Sequence, residues 1–488
     1  MFAIADDHSW PHAGAYGDPV VKTPAFDRVA REGVLFRNSF CCAPSCTPSR
    51  STVLTGRPLW EVGEGGLLYG TLPSSYPLFT HQLEDAGYHT GYTGKGWGPG
   101  DWRAGGLTRN PTGAEYNSRL LAAPPGIDTR DYAGNFEDFL AGRRPGQPFC
   151  FWYGGTEPHR IYGKNSGLQA GKRLEAVRVP EYWPDTPEIR ADILDYYQEI
   201  EWFDSHLGRM MARLEKTGEL DDTLIVVTSD NGMPFPRAKV NLYDGGVRMP
   251  LAIRWPAAVP GGRVVEEMVS HADFAPTFLE AAGIAKQEMT TGRSLLPMLT
   301  ASRAGPVIPE FDYVITALER HTWCRPDGAT YPMRAIRTRQ FLYICNFEPD
   351  RWPTGGPDFV SSNKTLHGDV DGCPTKDFLL DTGNRKRFPR QFEMCFGKRP
   401  AEELYELASD PDQVNNLAGA AAFQEVKRAH RERLEARLKQ TGDPRIEGRD
   451  PWQGYVYRQT SGFGAVFNRS LPEQDRQKAG GGGAHKPE

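Results

Sequence analysis

Leu224-Ile225-Val226-Val227-Thr228 runs directly into Ser229-Asp230-Asn231-Gly232. The first five residues are apolar or β-branched with no polar alternation, the pattern of a strand buried on both faces. The last four are turn formers that carry a carboxylate and an amide oxygen. A buried strand that ends in such groups belongs to an open α/β sheet, where ligands collect beyond the carboxyl ends of the strands. The same order recurs along the chain. Residues 2–5 are apolar and lead into Asp6-Asp7-His8, residues 88–93 into Gly94-Lys95-Gly96-Trp97, and residues 149–153 into Gly155-Thr156-Glu157-Pro158-His159. Further strands are expected at 34–40 and 251–255.

Helical patterns lie between them. Thr23, Pro24 and Gly33 have the chemistry of an N-cap, a first-turn proline and a terminating glycine around 24–32. Helices are expected from about Ser49 and over 78–86. Ile193, Tyr197, Ile200, Phe203, Leu207, Met211 and Leu214 recur at three- and four-residue steps on one long amphipathic helix. Alternating strands and helices imply a large, mainly parallel sheet with helices on both faces. Residues 98 to about 130, rich in Gly, Pro and Asn, are expected to form a surface insertion. From residue 331 the texture changes: 333–336 and 340–347 look like adjacent antiparallel strands. A last helix is expected to place Phe423, Val426, His430, Leu434 and Leu438 on one face. The expected division is a catalytic α/β domain over 1–330, a smaller α+β unit over 331–455, and an extended or flexible tail over 456–488.

The 488 residues carry a net charge of −5, which excludes a sequence-independent grip on nucleic acid. No apolar run is long enough for a membrane span. The eight cysteines form no C-x-x-C pair, so neither a zinc ribbon nor a thioredoxin-like motif is supported. The chain opens directly in a strand, without a visible export signal. That start is abrupt, so an upstream segment with an export signal is compatible with it, and the compartment is not assigned. Oligomeric state is not assigned either.

One stretch stands apart: Cys46-Thr47-Pro48-Ser49-Arg50-Ser51-Thr52-Val53-Leu54-Thr55-Gly56-Arg57. As bare chemistry it is a thiol at a helix start, where the backbone favours anions and lowers thiol pKa values, so a nucleophilic Cys46 is one reading. The other is a resemblance. C-x-P-S-R followed by x-x-L-T-G-R resembles the signature of the type I sulfatases, in which this cysteine is oxidised to formylglycine. The resemblance covers about residues 1–455, and Glu403-Leu404-Tyr405-Glu406-Leu407 looks like the family's closing region.

Membership would imply an alkaline-phosphatase-like α/β sandwich with a smaller C-terminal antiparallel sheet and a packed helix. Alone, Asp6-Asp7 reads as a turn or cap and Asp230-Asn231-Gly232 as a turn. The resemblance makes Asp6, Asp7, Asp230 and Asn231 metal ligands, with Cys46 as a fifth once oxidised. Hard oxygen donors suit Ca²⁺, with Mg²⁺ the alternative. It makes Arg50 the group that orients formylglycine, Lys95 and Lys239 sulfate clamps with Arg237 competing for the second role, and His159 the acid for the leaving group. His321 is a candidate substrate contact. The family's Gly-Lys-x-His is here Gly94-Lys95-Gly96-Trp97, so one expected histidine is absent, and either His8 or a metal carboxylate serves in its place or turnover is altered.

Met233-Pro234-Phe235-Pro236, Asn241-Leu242-Tyr243, Thr291-Gly292-Arg293-Ser294-Leu295-Leu296-Pro297 and Tyr331-Pro332-Met333-Arg334 resemble the heparan N-sulfatases. That resemblance implies hydrolysis of the N-sulfate of glucosamine in heparan fragments, with a formylglycine-generating enzyme as maturation partner. An O-sulfatase acting on another glycan or aryl sulfate, a phosphate mono- or diester hydrolase of the same superfamily, an unmodified thiol hydrolase and a non-catalytic glycan-binding protein are the alternatives.

Overall fold

A computed structural model describes residues 1–302 and 308–459. Eight strands form the large sheet: β1 (Phe2–Ala5), β2 (Val34–Phe40), β3 (His89–Gly94), β4 (Ala114–Glu115), β5 (Phe149–Gly154), β6 (Ile225–Ser229), β7 (Arg248–Arg254) and β8 (Arg263–Ser270). Their order is β4-β3-β5-β1-β6-β7-β2-β8. Five of the seven pairings are parallel; β7 runs antiparallel to both β6 and β2. The sheet is therefore mixed but mainly parallel, as the strand–helix alternation implies.

Successive residues of each strand feed opposite layers. Phe2, Ile4, Phe36, Val226 and Leu251 pack into one core with Val53, Leu54, Phe79 and Phe274. Ala3, Ala5, Leu35, Val227 and Ala252 face the other, against Phe26, Val29 and the helix Pro187–Lys216, whose Phe203, Leu207, Met210, Met211 and Leu214 lie there. That 30-residue helix extends the predicted apolar stripe in both directions.

β9 (Tyr313–Leu318), β10 (Met333–Thr338), β11 (Phe341–Asn346) and β12 (Glu402–Glu406) make a four-stranded antiparallel sheet in the order β12-β11-β10-β9. Its first strand lies ahead of residue 331. One face meets Phe40, Met249 and Met268 of the large sheet through Val314, Met333, Leu342 and Ile344. The other receives Leu434 and Leu438 of the helix Gln424–Gln440.

Of the tail expected over 456–488, residues 460–488 lie outside the described residues. Residues 456–459 carry no regular secondary structure and pack against the rest of the chain, because an aromatic side chain finds partners here. Tyr457 is buried, its ring 5.4 Å from Trp323 and 5.2 Å from Tyr69, and the Arg458 amide donates to the Tyr69 carbonyl. Among the described residues all the cysteines are free, and no helix is long and apolar enough to cross a membrane.

Candidate active site

The carboxyl ends of β1, β3, β5 and β6 converge on the head of one helix, Cys46–Thr55. It starts at Cys46 itself, three residues earlier than expected. Ser45 is extended ahead of it, and Pro48 is tolerated because first-turn amides need no partner inside the helix. All ten residues are buried. Most hydroxyls of a helix enclosed on every side are satisfied within the protein, and here Ser49 Oγ is the exception among the serines and threonines. Ser51 Oγ donates to the Thr47 and Gly65 carbonyls, Thr52 to Ser49, and Thr55 to Ser51. Gly56 ends it at φ 65°, its amide closing on Thr52.

Each strand end is fixed by its neighbour. Asp7 adopts φ 74°, a left-handed conformation that Asp tolerates better than most residues. Its amide donates to Asp230 Oδ1 at 3.1 Å, and the His8 amide donates to Ser229 Oγ at 2.7 Å, which ties β1 to β6. Gly94 at the end of β3 also has positive φ, 75°, and a Cβ there would stand 2.0 Å from the Gly154 carbonyl. Glycine thus allows the Lys95 amide to reach that oxygen at 2.6 Å.

These ends deliver a compact charge cluster. Cys46 Sγ lies 3.5 Å from Asp6 Oδ1, and Asp6 Oδ2 accepts from Lys95 Nζ at 2.6 Å. Asp7 Oδ2 accepts from Lys239 Nζ at 2.8 Å, and Asp7 Oδ1 from Asn231 Nδ2 at 2.6 Å. Arg50 Nε donates to Asp230 Oδ2 at 2.8 Å, while its Nη1 donates to the carbonyls of Lys95 and Gly96. His159 Nε2 is 3.8 Å from Asp7 Oδ2. Its Nδ1 is 2.7 Å from the Arg160 carbonyl, which can only accept, so Nδ1 carries a proton and Nε2 is the atom left for the site.

Burial pushes the Cys46 thiol well above its ordinary range; Asp6 and Asp230 add to the rise, and Lys95 and Lys239 only partly oppose it. The expected helix-start activation is overturned, because desolvation of a thiolate outweighs the helix end. Burial also raises Asp7, up to about 6, with Asp6 and Asp230 adding to it against Lys239. For Asp6 burial is outweighed by Lys95, His159 and Arg50, which hold its carboxyl far below the usual range. Burial opposes the charge on both lysines, yet Asp6 keeps Lys95 an ammonium, and Asp371 with Asp7 keeps Lys239 one.

A metal fits this donor set. Asp6, Asp7 and Cys46 present ligand atoms within 4.8 Å of one another. Asn231 Oδ1 is buried without a hydrogen-bond partner, an acceptor left over beside three carboxylates. Arg50 Nη2 is a buried donor in the same condition. One orphan calls for a cation and the other for an oxygen atom.

Other expected residues fall outside the innermost cluster. Arg237 is not brought to it: its guanidinium donates to the Met394 and Gln413 carbonyls and lies over the Tyr243 ring, where it fastens later chain segments. Lys239, two residues on, takes the position instead. His321 is buried, with Nδ1 2.8 Å from Ser45 Oγ, and burial lowers its pKa to about 4, so it supports the helix head as a neutral ring. Trp97 turns into the core and donates from Nε1 to Ser51 Oγ. His8 does not replace the missing histidine, since its Nε2 faces the His12 carbonyl and burial lowers its pKa to about 3. Two residues escaped the sequence reading. Asp371 bonds Lys239 Nζ at 3.1 Å, and Tyr69 is near enough for the Cys46, Lys239 and Lys95 charges to act on its hydroxyl. The only prior signal for Asp371 is the pair of acids in Gly368-Asp369-Val370-Asp371-Gly372.

A buried cysteine heading a helix, ringed by acidic strand ends and three cations, defines a class that the comparisons confirm: residues 1–284 match the sulfatase family, and the chain belongs to it. Residues 238–347 match a second region, described as N-sulphoglucosamine sulphohydrolase, C-terminal. The chain is 30% identical to N-sulphoglucosamine sulphohydrolase of Homo sapiens over 91% of its own length and 90% of that protein. It is 27% identical to an ulvan-active sulfatase of Formosa agariphila, covering 88% of this chain and 72% of the relative. In fold it resembles BT4656, solved in complex with its substrate D-glucosamine-2-N,6-O-disulfate (TM-score 0.64, 22% identity, 92% and 98% of the two chains). It also resembles a phosphonate monoester hydrolase of Agrobacterium radiobacter (TM-score 0.61, 19% identity, 90% and 95%).

Proposed function

We propose that this sulfatase hydrolyses the N-sulfate of glucosamine at the end of heparan-type fragments, through a formylglycine made from Cys46 by a formylglycine-generating enzyme. The observation that carries the chemistry is the environment of Cys46. A thiol held protonated by burial is a poor nucleophile, yet the cations and orphaned polar atoms of the cluster converge around it. The aldehyde hydrate of formylglycine supplies the oxygen nucleophile that such a thiol cannot. N-sulfate as substrate rests on the relative and the C-terminal match.

Asp6, Asp7, Asp230 and Asn231 would hold a divalent cation, Ca²⁺ by the hardness and number of the donors, with residue 46 completing the set. A cation there would add positive charge beside the sulfate oxygens. Lys95 and Lys239 exchange part of their bonding to Asp6 and Asp7 for sulfate oxygens and hold them while charge shifts. Arg50, fixed through Asp230 and two carbonyls, keeps Nη2 free to bond an oxygen on residue 46. His159 Nε2 donates a proton to the departing nitrogen.

The test is a desulfation panel of N-, 6-O- and 3-O-sulfated glucosamine, with phosphate and sulfate esters of one phenol alongside. The expected result is preferential sulfate release from the N-sulfate. Equal or better hydrolysis of the phosphate ester would contradict the proposal.

A further inference from the structure

Sulfamate hydrolysis releases an amine, and the rim of this site carries a carboxylate, Asp371, outside the metal set, of which one oxygen is bonded to the clamp lysine Lys239. Asp371 lies just ahead of the helix Pro374–Leu380. Its neighbour Asp369 is buried and committed, accepting from the Thr322 amide and hydroxyl at 2.8 Å and from Arg325 Nη2 at 2.8 Å. Asp371 differs. Its side chain is 24% exposed, Oδ2 accepts from Lys239 Nζ at 3.1 Å, and among the described residues Oδ1 accepts no hydrogen bond. A carboxylate oxygen of Asp371, a ring nitrogen of His159 and an oxygen of Asp7 all lie within 4.8 Å of one another. Asp7 is enclosed, whereas His159 is 35% exposed, so the pair Asp371 and His159 forms the open side.

A carboxylate at the entrance to a sulfate site has an electrostatic cost, because it repels the anion being bound. Lys239 offsets part of that cost. The acid is favourable only if the leaving group brings positive charge or N–H donors.

We propose that Asp371 recognises the glucosamine nitrogen, accepting a hydrogen bond from the sulfamate N–H and then holding the ammonium of the product. This rests on the N-sulfate reading. When the S–N bond breaks, nitrogen keeps the bonding pair and takes a proton from His159 Nε2, while the attacking oxygen takes nitrogen's place on sulfur. The amine takes a second proton from water and becomes a cation beside Asp371. An alcohol released from an O-sulfate stays neutral and gains no such partner. Asp371 is thus a specificity determinant for nitrogen over oxygen.

Asp371→Asn preserves size and one acceptor while removing the charge. Calorimetric titration should show wild-type protein binding glucosamine about tenfold more tightly than N-acetylglucosamine, and Asp371→Asn binding them alike. In parallel, the ratio of kcat/KM for N-sulfated over 6-O-sulfated glucosamine should fall about tenfold in Asp371→Asn and recover partly in Asp371→Glu. Wild-type protein without a preference for glucosamine, or an unchanged ratio in Asp371→Asn, would overturn the inference. Preference for glucosamine without N-sulfate release would support amine recognition and contradict the proposed reaction.

Discussion

Cys46 sits where two effects oppose each other. The helix head favours an anion, but full enclosure beside Asp6 and Asp230 disfavours one more strongly, and the thiol stays protonated. On the proposed reading, such a position suits a different oxidation state of the same residue. In the proposed reaction His159 is the counterpart on the leaving-group side, with Nδ1 committed to a carbonyl and Nε2 facing the site. Its contribution is separable by leaving group. His159→Ala should lower kcat on N-sulfated glucosamine by about 10²–10⁴-fold. The loss should be far smaller on 4-nitrophenyl sulfate, whose phenolate departs without a proton; steady-state kinetics on both substrates reads the difference.

Among the elements, the strands ending at the site were the most legible. β2 occupies the expected 34–40, and β1, β5 and β6 lie within a residue or so of their apolar runs, because strands buried on both faces need continuous hydrophobicity; β3 lies one residue on from the expected 88–93. β8 and β9 were not found. Arg263-Val264-Val265-Glu266-Glu267 alternates imperfectly at a sheet edge, and β9 acquires its role only by pairing with β10. Asp371 was illegible for a related reason: its partner Lys239 is 132 residues away, and no local pattern encodes that contact. The long helix Pro187–Lys216 hides another such feature. Glu199 is buried with neither carboxylate oxygen hydrogen-bonded, and its pKa is pushed up to about 9 by burial, then by Glu157 and Asp195, against Arg160. Between about 4.5 and about 9 the unfolded chain has lost a proton that the folded chain keeps, so this group lowers stability as pH rises through that window. Glu199→Gln should therefore raise the melting temperature more at pH 8 than at pH 5. Thermal denaturation at the two pH values checks the sign.

For the molecule as a whole, the two sheets share one core, and the large sheet brings acids from β1 and β6 to a point where only nearby cations balance them. A divalent cation bound there should stabilise the fold as well as serve the reaction. Saturating Ca²⁺, at about 100 times its dissociation constant, adds about 2.7 kcal/mol by mass action. The melting temperature should rise with Ca²⁺, fall with a chelator, and lose most of this response in Asp6→Asn. The family, the mainly parallel sheet and most of the cluster were readable because the cysteine stretch is long and the acids directly follow apolar runs. The fate of Trp97, the displacement of Arg237 and the entry of Asp371 depend on packing across the chain.

On the proposed reading, residue 46 performs the chemistry on a sulfated amino sugar. The most direct measurement is inorganic sulfate released from N-sulfated glucosamine by protein produced together with a formylglycine-generating enzyme, compared with Cys46→Ala made the same way. Many turnovers by the wild type and none by the variant, with both proteins folded, is the predicted result. Undiminished release by Cys46→Ala would show that the reaction does not pass through residue 46.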